Sequence, residues 1–436
     1  MASNGPAVNR REFLQTLGIL CGGLTLASCG NSGGGGVDGG FAGPVVPSAW
    51  RYFPLISTDD ALAQGDPGPA SFPGWAMLNQ RSQVLFQVYD RNKATALYLA
   101  DLDFSAGAPR LAQLQKILRD GDTTADGEVI QRVEACCLNN RGDVAVRVMT
   151  TKGFQRIYLA LAGQPLNPEV KFGDSAPGVE NGRFAQSLGD FELLDDGSLV
   201  LVGHYYTSKY AAQGLFHLHP AGGSLLSSTR DTIPNSTSRI GVLGLLDVRD
   251  STYTHQATAH GNVNANPTLV LLGDLREPQV RPRVLAASES IVMPQRVRAQ
   301  MVTADAHYGP RLTSGGAVVT VVHSGSQSRL ALGTQTLLES GQTTPSGAVI
   351  SGFLGPLQTE ADSVFVTALT SSGGSELLLV SPAGLRVLAN EDFPLNGRLV
   401  RRWGLGAVRR QTDGFRFVCS AHYHDGASSL VLGLPV

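Results

Sequence analysis

Short apolar runs recur along the chain, each bounded by polar and turn-forming residues. They are Leu97-Tyr98-Leu99, Ile157-Tyr158-Leu159, Leu215-Phe216-His217-Leu218, Leu269-Val270-Leu271, Leu330-Ala331-Leu332, Leu377-Leu378-Leu379 and Leu430-Val431-Leu432. Successive runs start 47 to 61 residues apart, room for four strands and their loops in each copy. A second apolar stretch, led by Asn, Asp, Thr, Gln or Gly, precedes most of them: Asn79 to Val88, Asn139 to Val148, Asp195 to Val202, Thr313 to Val322, Thr359 to Ala368 and Gln411 to Val418. Turn residues followed by alternating apolar positions mark a hairpin. Gly65-Asp66, Gly121-Asp122, Gly173-Asp174 and Gly341-Gln342 then close units, with weaker versions at Arg230-Asp231 and Glu391-Asp392. Each unit reads as four antiparallel strands, because the connections are too short for a crossover.

The two ends of the pattern decide the architecture. The seventh unit stops on its third strand at Leu430 to Val436, whereas Arg51 to Asp66 offers only a final strand and its turn. Paired, they complete one sheet. The expectation is an all-β fold, a seven-bladed β-propeller closed by an N-terminal strand in the last blade, occupying residues 48–436.

Composition agrees and removes several function classes. Gly contributes 52 of 436 residues, and charged residues are only 16% of the chain. With 34 basic and 36 acidic side chains there is no polybasic footprint, so nucleic acid is not an expected partner. Of the five cysteines, Cys136, Cys137 and Cys419 fall in the body, where their spacing suits buried thiols rather than a cluster or a disulfide scaffold. No cofactor is assigned.

The first residues carry a different message. Arg10-Arg11-Glu12-Phe13-Leu14 resembles the R-R-x-F-L core of a bacterial twin-arginine export signal, and Leu26-Ala27-Ser28-Cys29 resembles a lipobox. The resemblance implies export signalled by Arg10, Arg11, Phe13 and Leu14, cleavage after residue 28 and lipidation of Cys29. Residues 29–47 then form a Gly-rich tether, and the partner is a membrane held through the N-terminal lipid. Gly30 rather than Asp after the cysteine points to the outer membrane, facing the periplasm or the cell surface.

Asn139-Asn140-Arg141-Gly142-Asp143-Val144-Ala145-Val146 resembles bacterial exported tandem-repeat proteins with an N-x-x-G-x-x-A-F core, with Val146 in place of Phe. The stretches at Asn79 and Asp195 keep parts of that core, and the copy near Asp247 to Ser251 is barely recognisable. The resemblance implies an anchored repeat domain with no assigned reaction.

Ligand chemistry is expected after the second strands, where propeller loops gather. The candidate rim is Tyr89, His204, Tyr206, His323, His422 and His424, side chains that stack on sugars or, as neutral imidazoles, bind a divalent metal. The Asp residues of the Gly-Asp turns are expected to bond their own backbone. The functional expectation is a platform binding an envelope protein or glycan, with no identifiable catalysis. The alternative is a metal-dependent lyase or oxidoreductase built on the His rim.

Overall fold

The computed structural model describes residues 50–436 apart from 63–67, 73–75, 261–266, 289, 299–300, 304–305, 362 and 412–413. All of them belong to one compact unit, Gly43–Val436. The export-signal residues Arg10, Arg11, Phe13 and Leu14, the lipobox Cys29, and the turn residue Asp66 lie outside the described residues.

Seven sheets follow one another along the chain, antiparallel except where Val302–Thr303 adds a parallel strand to Arg283–Ala287 in the fourth, forming a seven-bladed β-propeller. The third blade shows the unit plainly: Arg183–Leu193, Leu199–Tyr206, Ala211–His219 and Gly222–Ser228, paired in that order. All seven apolar runs of the sequence are third strands. They read as unbroken apolar stretches because both faces of a central blade strand pack against neighbouring blades; Leu97, Ile157, Leu215, Leu269, Leu330 and Val431 are fully buried. The last blade runs Arg398–Gln411, Gly414–Tyr423, Ser428–Pro435, and then Trp50–Ser57, whose residues pair antiparallel from Trp50 opposite Pro435 to Ser57 opposite Ser429. The N-terminal strand thus closes the ring, as the unfinished seventh repeat requires.

The first strands line the axis, and most of them are bulged near their lower ends. Register shifts interrupt them at Val133/Ala135, Leu188/Phe191, Gly244/Leu246, Tyr308/Arg311, Leu354/Gln358 and Leu405/Ala407. Bulges bend these strands around the channel but strand backbone N–H groups. The preceding blade supplies the acceptors: Asp120 takes the Val133 N–H at 2.7 Å, Gln155 that of Leu188 at 2.6 Å, Gln213 that of Leu243 at 2.7 Å and Ser375 that of Trp403 at 2.9 Å. These polar residues are blade-to-blade latches.

The turn motifs have equally structural explanations. The Asn139 side-chain oxygen accepts the N–H groups of Arg141 and Asp143, while its amide donates to Leu194 O of the next blade at 2.9 Å. Asn79 repeats this and donates to Asn139 O at 3.1 Å. Gly142 has φ 88°, and a Cβ there would sit 2.6 Å from Gln83 Oε1, so the motif needs glycine. At the turns between blades, Asp122, Asp174 and Asp231 each accept the N–H three residues earlier, at 2.9, 3.0 and 2.7 Å. The closing blade makes the same bond with Asp60, to Ser57 N at 2.7 Å, so the unit ends there rather than at Asp66. Asp392 departs from the pattern and accepts from His424 instead.

Candidate functional site

The strand order gives the ring two faces. The upper face carries the turns between blades and those joining second to third strands; the lower face carries the turns joining first to second strands.

The rim residues occupy equivalent upper-face positions. Tyr89, His204, His323 and His422 lie opposite the first residues of the third strands or their neighbours, pairing with Thr95, Gln213, Ser328 and Ser428. They stand in four different sheets. His204 is exposed, whereas Tyr89, Tyr206, His323 and His422 are half-buried. Desolvation by the neighbouring protein lowers the pKa of His204, His323 and His422, holding each imidazole neutral near pH 7. His422 Nε2 lies 3.2 Å from Ser420 Oγ, and exposed His424 sits 3.0 Å from Asp392. Among the described residues no three His, Cys, Asp or Glu side chains converge as a metal site. Equal register in separate blades keeps the imidazoles apart.

Part of the rim does belong to a cluster, at the seam of blades 2 and 3. Phe172 lies parallel to Phe154 at 4.9 Å between ring centroids, with 3° between planes, and 6.2 Å from Tyr206 on its other side. Phe172 is 41% exposed, the most exposed aromatic ring among the described residues. Alongside, Arg230 caps the Tyr210 ring at 3.8 Å, and Tyr210 packs edge-on against Tyr205. Phe154 and Phe172 sit in turns from two different stretches, so no local pattern links them to Tyr206. The available signal was an aromatic residue in turns that otherwise hold polar residues.

A second cluster occupies the lower end of the channel. Near the ends of their first strands, blades 3 to 7 place Asp190 and Glu192, Asp247 and Arg249, Arg311, Glu360 and Arg409. Arg311 bonds Asp247 at 3.0 Å and lies 3.8 Å from Glu192; Arg249 lies 4.0 Å from Glu360 and bonds Thr359 O at 2.8 Å. Glu192 and Arg311 keep 30% and 21% of their side-chain surface open, although protein surrounds them. Burial pushes Glu192 up to about 7, and burial pulls Arg409 below the usual guanidinium value. At Arg311 burial opposes the charge, but Asp247 and Glu192 outweigh it and the pKa rises.

The three body cysteines are buried free thiols. Burial pushes Cys136 up to about 12 and raises Cys137 and Cys419 as well, which makes them poor nucleophiles.

No family model and no curated protein sequence matches the chain. Solved structures do. The β-propeller domain of the Trilobed protease from Pyrococcus furiosus, described as having an open velcro topology, aligns over 83% of this chain and 98% of its own at 8% identity and a TM-score of 0.45. A puromycin-hydrolyzing peptidase of Mycobacterium tuberculosis aligns over 86% of this chain at 12% identity, with a TM-score of 0.40; the match spans 61% of that protein. Virginiamycin B lyase from Staphylococcus aureus aligns over 89% of this chain and all of its own at 9% identity, with a TM-score of 0.37. These likenesses concern the propeller fold, and no reaction or residue role passes from them to this chain. The pairing of seven sheets in sequence, closed by the N-terminal strand, makes this chain a β-propeller.

Proposed function

We propose that the chain is a lipid-anchored envelope propeller that binds a glycan on its upper face, at the seam of blades 2 and 3. The carrying observation is the Phe154, Phe172 and Tyr206 strip, with Phe172 exposed on a face built from rigid turns. Aromatic rings offer apolar faces to sugar C–H groups, and an exposed, neutral His204 two residues before Tyr206 supplies a hydrogen-bonding partner for hydroxyls.

The anchoring half of the proposal rests on the Arg10-Arg11 and Cys29 motifs, and the fold is compatible with it. The closing strand runs from Trp50 at the lower face to Ser57 at the upper one. The described body therefore begins at its lower face, opposite the aromatic strip.

The test uses the chain carrying Cys29→Ser on an array of bacterial envelope glycans, followed by calorimetry on any hit. We expect Phe172→Ala and Tyr206→Ala each to weaken binding about tenfold with the melting temperature unchanged within about 2 °C. Capture unaffected by both substitutions, or no glycan capture, rejects the site. Loss of acyl incorporation in cells on replacing Cys29 checks the anchor independently.

A further inference from the structure

We infer that the sugar taken by the upper-face strip is a hexuronic acid, its ring stacked on Phe172 and Tyr206 and its carboxylate held by the guanidinium of Arg183. The inference rests on the glycan reading of that seam and names the sugar class it accepts.

Three observations carry it. The first is where the strand pairing puts Arg183. It opens the first strand of blade 3 directly opposite Tyr206 on the second, so the two side chains leave the same face of the sheet with Cβ atoms about 5 Å apart. Arg183 also bridges to Ser175, in the turn between blades 2 and 3. Its Nη1 donates to Gly173 O at 2.7 Å, and Gly173 is the residue after Phe172. The guanidinium is thus pinned beside the ring that lies 6.2 Å from Tyr206.

The second is what that bond leaves open. Arg183 is exposed, and among the described residues neither its Nε nor its Nη2 has an acceptor and no carboxylate pairs with it. Nε and Nη2 form one edge of the guanidinium plane, a fork of parallel N–H groups matched to the two oxygens of a carboxylate. Elsewhere the chain fills this edge from within. Arg119 places Nε and Nη2 on Asp90 at 2.8 and 2.6 Å, and Arg141 places them on Asp143 at 2.9 and 2.7 Å. Asp174, in the turn beside Arg183, faces its own loop, where Oδ2 accepts the Lys171 N–H at 3.0 Å.

The third is the match in reach. A uronic acid carries its carboxylate directly on the sugar ring, so stacking face and charge are as close as the cross-strand pair of Tyr206 and Arg183. A neutral hexose stacks but leaves the fork without an anion, and a carboxylate with no ring fills the fork but gains no aromatic face. His204, exposed and two residues before Tyr206 on the same strand face, remains for a ring hydroxyl.

Oligosaccharides of glucuronic, galacturonic, mannuronic and guluronic acid are titrated by calorimetry into the C29S chain, each beside its carboxyl-reduced counterpart, in which a hydroxymethyl group replaces the carboxylate. At least one uronate is expected to bind at least tenfold more tightly than its reduced form. Arg183→Gln should bring that uronate down to the affinity of the reduced form and leave the reduced form unchanged. Arg183→Lys, which keeps the charge and loses the fork, should restore no more than about threefold of the preference. Phe172→Ala should weaken both members of the pair about tenfold. Equal binding of every uronate and its reduced form, a preference that survives Arg183→Gln, or full rescue by lysine overturns the inference; the glycan site still stands if Phe172→Ala weakens capture. Tighter binding of sulfated or phosphorylated sugars than of any uronate also overturns it. Glycan binding indifferent to Phe172→Ala, or no glycan bound at all, rejects the site and the inference together. If Arg183→Gln does not fold, Arg183→Lys and the paired ligands on the unsubstituted chain decide.

Discussion

The upper-face turns and the lower channel mouth both hold carboxylates, but they use them in opposite ways. Asp60, Asp122, Asp174 and Asp231 recur at matching positions, and each accepts a backbone N–H three residues earlier. Asp190 and Glu192 occur in a single blade and accept no backbone N–H; Glu192 instead faces Arg311 at 3.8 Å. In a repeat protein, a polar residue that recurs is answering a need of the repeated backbone. One that appears once, in a buried position, needs another reason. The same distinction separates the latches Gln155, Gln213 and Ser375 from Arg409.

The largest effect that sharpens this contrast comes from the closure itself. Deleting residues 50–57 leaves the Ser428–Pro435 strand as an open edge and removes the packing of Tyr52 and Ile56. Loss of cooperative unfolding and aggregation on size-exclusion chromatography are expected; a monomer melting like the full chain contradicts ring closure.

Next is a pair of carboxylates compared directly. Asp120→Ala strands the Thr95 and Val133 N–H groups, which it accepts at 2.8 and 2.7 Å, and should cost about 2 kcal/mol by urea denaturation. Asp190→Asn strands no backbone group and should stay within about 0.5 kcal/mol. Equal losses would erase the contrast between the two regions.

The smallest effect is a pH dependence. Burial raises Glu192 from 4.5 to about 7, so the folded chain holds a proton that the unfolded chain releases between those values. Its contribution to stability is greatest below the unfolded pKa and declines as pH rises through the folded one. His255, fully buried and lowered by that burial from 6.5 to about 4, acts oppositely: its contribution is present above 6.5 and lost as pH falls. The Glu192→Gln chain isolates the first. Its melting temperature should exceed that of the unsubstituted chain by about 2 °C or more near pH 8 and match it near pH 5. A gap that does not widen with pH refutes a strained carboxylate.

Much of the fold was legible because its strongest physical demand is local. A third strand packed on both faces must be apolar at consecutive positions, so Leu377-Leu378-Leu379 announces itself. Asn139 and Gly142 are readable for the same reason, since a tight turn needs a side-chain acceptor and a positive φ within a few residues. The rim was legible only as a register: Tyr89, His204 and His323 do share a position, but a shared position in separate sheets is not proximity. The aromatic strip was invisible, since Phe154, Phe172 and Tyr206 meet only when two blades abut. The latches were invisible too, because nothing in Gln155 itself reveals that Leu188 will need an acceptor.

By itself, then, the order of residues determined the strand, the turn, the sevenfold repeat and the way its two ends complete one sheet. Those follow from backbone geometry and from burial within tens of residues. Only the closed ring decided which charges are answered and which are left facing water. That outcome depends on the bulges of the first strands and on which blades lie opposite each other, and both are properties of the assembled circle rather than of any one repeat.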